Sequence, residues 1–160
     1  MAIVLQVAQG LAAQEVDGIF QQFAQAHDDG LAHLLHCVDA VVDDARLGRE
    51  ICLRVCDASE SRRLNHTYRG KDNPTNILSF AGADLAAVEA PLGDLALCWP
   101  IAQHEAMQQR KTLVDHVAHL SVHGVLHLLG YDHQDDAQAQ VMEALETAVL
   151  ADLGVANPYI

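Results

Sequence analysis

Apolar positions recur with two periods along this chain, and each change of period marks the border of an element. Ile3, Leu5 and Val7 fall on every second residue, which predicts a strand near the N-terminus. Over residues 11–45 the spacing becomes helical. Val16, Ile19, Phe20 and Phe23 make one stripe, and Leu31, Leu34, Leu35, Val38, Val41 and Val42 make another. Asp28-Asp29-Gly30 divides this stretch into two helices. A second strand is predicted over Ile51–Cys56, followed by a short helix that Ser59 caps and that runs to about Tyr68. Gly70-Lys71-Asp72-Asn73-Pro74 reads as a loop. Residues 76–81 and 92–98 predict the third and fourth strands, with a Gly/Ala/Asp-rich connection between them expected to be mobile. Trp99-Pro100 marks the next boundary, Pro100 suiting a first helical turn. Helical spacing then returns over 113–129, stopped by Gly130 in the left-handed position that such ends favour. A last helix is expected over 135–153, with Asp135 and Asp136 near its positive end. Strands and helices do not alternate regularly. The expectation is therefore one α/β (α+β-type) domain over residues 1–160: a small mixed four-stranded sheet with about five to six helices around it.

Composition narrows the function. At 51% hydrophobic and 19% charged residues, a largely disordered chain is excluded. Nine Lys+Arg stand against 22 Asp+Glu, a formal charge of −13. A field of that sign repels polyanions, so any nucleic-acid role needs a local basic patch. Cys37, Cys52, Cys56 and Cys98 form no CxxC pair and read as reduced, mostly buried thiols. The first ten residues carry no basic residue and no signal-peptide pattern, and no uncharged stretch is long enough for a bilayer. The expected location is cytoplasmic, with no membrane partner.

The chemistry concentrates in His123-Gly124-Val125-Leu126-His127-Leu128-Leu129-Gly130-Tyr131-Asp132-His133. Four residues apart on a helix, His123 and His127 project from one face, separated by about 40° of rotation. Gly130 lets the chain reverse, so that His133 returns as a third ligand. Three imidazoles leave one tetrahedral position open, the arrangement of a catalytic zinc site and not of a closed structural one. Nickel or copper suits the same donors. His116 and His119 continue the stripe, as groups that support the ligands or face substrate, or as buried histidines lining the helix. Asp132 either holds a ligand imidazole or caps the following turn.

The same spacing occurs in the zincin helix of metzincin proteases, whose general-base Glu follows the first His. Here that position is Gly124, so peptide hydrolysis lacks its base. A second cluster points to phosphate. Residues 61–71 contain Arg62, Arg63, Arg69 and Lys71 and no acid. Arg69 and Lys71 lead into Asn73-Pro74-Thr75-Asn76, where a guanidinium suits bidentate phosphate contact. Arg62 and Arg63 read equally as a solvated helix face. A metal and an arginine together suit phosphodiester cleavage.

These blocks resemble the YbeY family of bacterial single-strand-specific endoribonucleases. The likeness is carried by Ser61 through Asp72, Pro74 through Phe80, Leu92-Gly93-Asp94-Leu95, His119 through His133, and Met142-Glu143-Ala144-Leu145-Glu146. It spans about residues 51–160, while the first fifty residues match only in general pattern. The resemblance implies a mixed four-stranded sheet with surrounding helices. It implies one zinc-type ion on His123, His127 and His133, and a functional arginine at Arg69. It also implies a cytoplasmic role in small-subunit ribosomal RNA 3′-end processing and ribosome quality control. Two positions depart from the family pattern. Phe80-Ala81-Gly82 replaces the Phe-Pro that often follows the Ser-Phe strand, a change expected in the mobile connection. Val117 replaces a frequent Trp, a change expected in the floor of the groove.

The reading is a metal-dependent, single-strand-specific endoribonuclease with ribosomal RNA precursor and the ribosome or small-subunit proteins as partners. Arg69, Lys71, His119 and Asp132 are the candidate catalytic residues. Arg69, Lys71 and Asn76 are the candidate substrate contacts. The competing readings are a metallohydrolase of another substrate, with a protease as the leading case, and a ribosome-binding factor with a structural metal.

Overall fold

The computed structural model describes residues 2–25, 28–82 and 90–160. In chain order these form β1 (Ile3–Val7), α1 (Ala13–Gln21), α2 (Gly30–Val42) and a 3-10 turn (Ala45–Gly48). Next come β2 (Ile51–Cys56), α3 (Ala58–Arg69), β3 (Ile77–Ala81) and β4 (Gly93–Cys98). Three helices complete the chain: α4 (Trp99–Gln108), α5 (Leu113–Leu128) and α6 (Asp136–Asp152). The expected mixed α/β architecture is the observed one. The sheet order is β1-β2-β4-β3, with β1, β2 and β4 parallel and β3 antiparallel to β4 at the edge. The connection expected to be mobile falls mostly on residues 83–89, outside the described residues. No helix among the described residues is long and apolar enough to cross a membrane.

Helix α5 lies at the centre. Val117, Ala118, Leu120, Ser121, Val122, Gly124, Val125, Leu126 and Leu128 are all buried, which leaves it apolar nearly all round. It packs on β3, β4, α4 and α6. Its histidines at 116, 119, 123 and 127 form the one polar seam. Val117 is part of the hydrophobic core and does not line the cleft, so the change expected in the groove floor falls in the interior instead.

Several helix ends follow the sequence reading. Asp29 caps α2 by accepting from the Ala32 N–H at 2.8 Å, and Asp135 caps α6 by accepting from Gln138 N–H at 2.8 Å. Helix α3 corrects one expectation. Its cap is Asp57, whose carboxylate accepts from Glu60 N–H at 2.8 Å, and Ser59 lies inside the first turn. A carboxylate two residues upstream outcompetes the serine, while the Glu60 side chain is taken by Arg54. At the end of α5 the Tyr131 N–H reaches Leu126 O at 3.1 Å and the Gly130 N–H reaches His127 O at 3.0 Å. This double closure needs a left-handed residue, and Gly130 supplies it at φ +97. Arg46 adds a further tie, donating to Leu129 O at 3.0 Å while Asp44 holds its guanidinium.

Candidate metal centre and substrate cleft

The Gly130 turn brings His133 back beside the helix that carries His123 and His127. One ring nitrogen from each lies within 4.8 Å of the other two. The Nε2 atoms of His123 and His127 are 3.0 Å apart. Two ligands at ~2.0–2.1 Å from a tetrahedral ion would lie roughly 3.3 Å apart, so the pair already has nearly the spacing of ligands.

Beneath His123 sits Glu146 of α6, fully buried. One carboxylate oxygen accepts from His123 Nδ1 at 2.5 Å. The other meets His119 Nε2 at 3.1 Å and accepts from the Tyr159 hydroxyl. Burial pushes the Glu146 carboxyl up, but the hydrogen bonds from His119, His123 and Tyr159 outweigh it and hold the pKa at about 2. The ionised carboxylate keeps the His123 proton on Nδ1 and leaves Nε2 with a lone pair toward His127 and His133. Burial, followed by the neighbouring His123 and His133, lowers the His127 pKa and favours its neutral, ligating form. The donor set therefore fits a divalent ion bound by nitrogen.

These histidines form one wall of a cleft of about 970 Å³. The opposite wall is the C-terminal end of α3 and the loop that follows, with Tyr68, Arg69, Lys71 and Asn76, and β3 runs between. Arg69 donates to Ser79 O at 2.7 Å, and its guanidinium lies 5.3 Å from the Phe80 ring centroid. Two buried polar residues of α3 pin this loop. The Ser61 hydroxyl pairs with the Thr75 backbone at 3.0 Å in both directions, and Asn65 donates to Asn73 O at 2.8 Å.

Of the sequence-derived candidates, Arg69, Lys71, Asn76 and the three histidines share this cleft. Asn76 has a structural task as well. Its amide donates to Glu105 at 3.2 Å, its Oδ1 accepts from Ile77 N–H at 2.7 Å, and Glu105 also meets buried His116 at 2.9 Å. His119 and Asp132 do not line the cleft. His119 stands behind it, meeting the His123 ring edge-on at 6.4 Å between centroids and sharing Glu146 with it. Asp132 accepts from the His133 N–H at 2.8 Å and so caps the returning turn, the second of its two expected roles. Arg62 is engaged by Asp72 at 2.7 and 2.9 Å on the surface, which bears out the solvated-face reading for that residue. Glu146 and Tyr159 are the residues to which the sequence reading assigned no role. Glu146 lies in one of the blocks that carry the family likeness, but nothing local showed that it would face His123.

Gly124 also has a physical reason to be glycine. A Cβ there would lie 2.8 Å from Ile77 Cδ1 and 2.9 Å from Leu95 Cδ2. The helix presses on the sheet at the position where metzincin proteases carry their base.

A family model described as Endoribonuclease YbeY matches residues 18–154, reaching further toward the N-terminus than the blocks read from the sequence. Among solved structures, the chain is similar to the solution structure of a Thermotoga maritima protein. The two are 19% identical with a TM-score of 0.53, and the match covers 94% of this chain and 91% of that one. This second likeness speaks to the fold alone.

Proposed function

The chain belongs to the YbeY endoribonuclease family, and from that premise we propose that it is a metal-dependent, single-strand-specific endoribonuclease that matures the 3′ end of small-subunit ribosomal RNA. The observation that carries this reading is a single cleft with three convergent imidazoles on one wall and Arg69 with Lys71 on the other. The same reading includes a role in ribosome quality control, contact with the ribosome or small-subunit proteins, and a cytoplasmic location.

His123, His127 and His133 would hold one zinc ion, or nickel in its place. When bound, such an ion supplies Lewis acidity toward water and toward a phosphoryl oxygen. Arg69 grips the scissile phosphate from the facing wall, its guanidinium turning from Ser79 O toward non-bridging oxygens. Lys71 adds a second positive charge. Glu146 holds the proton on His123 Nδ1 and fixes the ring. His119 and Tyr159 orient that carboxylate, and Asp132 fixes His133. These four are positioning residues, one layer removed from substrate.

The test is metal analysis of the purified protein, joined to cleavage of a single-stranded oligoribonucleotide with and without chelator. His123→Ala is expected to lose both metal and cleavage. Full cleavage by a folded, metal-free His123→Ala protein would overturn the proposal. A 2′,3′-cyclic phosphate at the product ends identifies the RNA 2′-hydroxyl as nucleophile, and its absence favours direct attack by water.

A further inference from the structure

We propose that Tyr68, backed by Phe80, is the platform on which an unpaired base beside the scissile phosphate stacks. This rests on the endoribonuclease reading and adds the group that selects single-stranded substrate. The chain has only three tyrosines, three phenylalanines and one tryptophan. Two of these rings, Tyr68 and Phe80, line the cleft that also holds the three histidines. Tyr68 is 61% exposed, on the last turn of α3. Its ring meets Phe80 edge-on, with centroids 5.2 Å apart and planes at 62°. Phe80 is held in turn by the strand and by the Arg69 guanidinium. The exposed ring is thus braced from behind and turned to solvent at the cleft rim.

Three further points lead to a base as the occupant. Tyr68 and Arg69 both meet the Phe80 ring, so the phosphate clamp and the platform sit side by side, as base and phosphate do in a nucleotide. Tyr68 and Phe80 also border a second hollow of about 480 Å³ on the outer face of the sheet, so the ring pair forms a ridge with space on both sides. Finally, a chain of net charge −13 gains little from general attraction to a polyanion. Affinity for RNA must come from a few local cations and from contacts indifferent to charge, and aromatic stacking is the contact every base can make. A base inside a duplex is already covered on both faces and reaches Tyr68 only after unstacking. The ridge therefore favours unpaired RNA.

The experiment uses zinc-supplied protein, a labelled single-stranded oligoribonucleotide, and a series of the same oligomer with one abasic position moved along it. Tyr68→Ala is expected to raise KM about tenfold to a hundredfold and to leave kcat nearly unchanged, while Tyr68→Trp restores KM. One abasic position should weaken the wild type by a similar factor and leave Tyr68→Ala indifferent. Thermal melting establishes that both variants fold. An unchanged KM, a loss confined to kcat, failure of Tyr68→Trp to restore binding, or abasic effects that add in full to Tyr68→Ala would each overturn the platform. If zinc-loaded wild type cuts no RNA at all, the endoribonuclease reading falls and the platform with it. If wild type cuts and Tyr68→Ala matches it, the platform alone falls.

Discussion

The two walls of the cleft are built on opposite principles. The histidine wall rests on a buried frame: an apolar helix, a glycine-closed turn and a carboxylate shut away from water with three hydrogen-bond partners. The arginine wall is open, its cations standing on a helix end and a loop fastened by Ser61 and Asn65. A site for a metal needs ligand atoms fixed to fractions of an ångström, and burial supplies that rigidity. A site for a flexible polyanion needs reach and hydration, which exposure supplies. The difference predicts that damage to the first wall shows in the fold as well as in activity, and damage to the second in activity alone.

The strongest way to break the contrast is Glu146→Ala, which leaves His123, His119 and Tyr159 facing an empty buried space. It is expected to destabilise the protein by about 3–5 kcal/mol and to weaken metal binding by about 10–100-fold. Chemical denaturation and metal titration measure the two effects. Next is Arg69→Glu, expected to lower kcat/KM by about a hundredfold or more with metal content and melting temperature unchanged. A fall in melting temperature comparable to that of Glu146→Ala would erase the distinction between the walls.

The pH response sharpens it further. Glu146 has a folded pKa of about 2 against an ordinary 4.5. A depressed acid stabilises the fold above its unfolded pKa and loses that contribution as pH falls through the folded value. Metal-free protein should therefore lose stability between about pH 4.5 and 2, by on the order of 3 kcal/mol from this group. Glu146→Gln should flatten that limb of the curve in denaturant titrations. The smallest effect is expected from Arg62→Ala, which removes an exposed pair with Asp72. Both the melting curve and the cleavage rate should stay at wild-type values.

Much of this was legible in the sequence because it is local. Strand alternation, the stripe of α5 and the glycine that closes it depend on neighbours a few residues away, and the three candidate ligand positions lie within eleven residues of one another. The cap of α3 was misplaced by two residues because Ser59 and Asp57 are both competent and only geometry decides. Glu146 went without a role because its partner is 23 positions away on a different helix. His119 lies on the same seam as His123, yet the twist of the helix turns it to the back of the wall. Spacing reports which residues share a face and leaves open what the fold places opposite.

The hook from Arg69 to Ser79 O also bears on self-association. β3, like β1, is an edge strand of the sheet, and a bare margin invites another extended chain to pair with it. A guanidinium planted on one of its carbonyls blunts that invitation, whether the newcomer is a peptide or a second copy of the protein. The residue proposed to hold RNA thus doubles as a guard against aggregation, and a charge-reversed variant is best studied at low concentration.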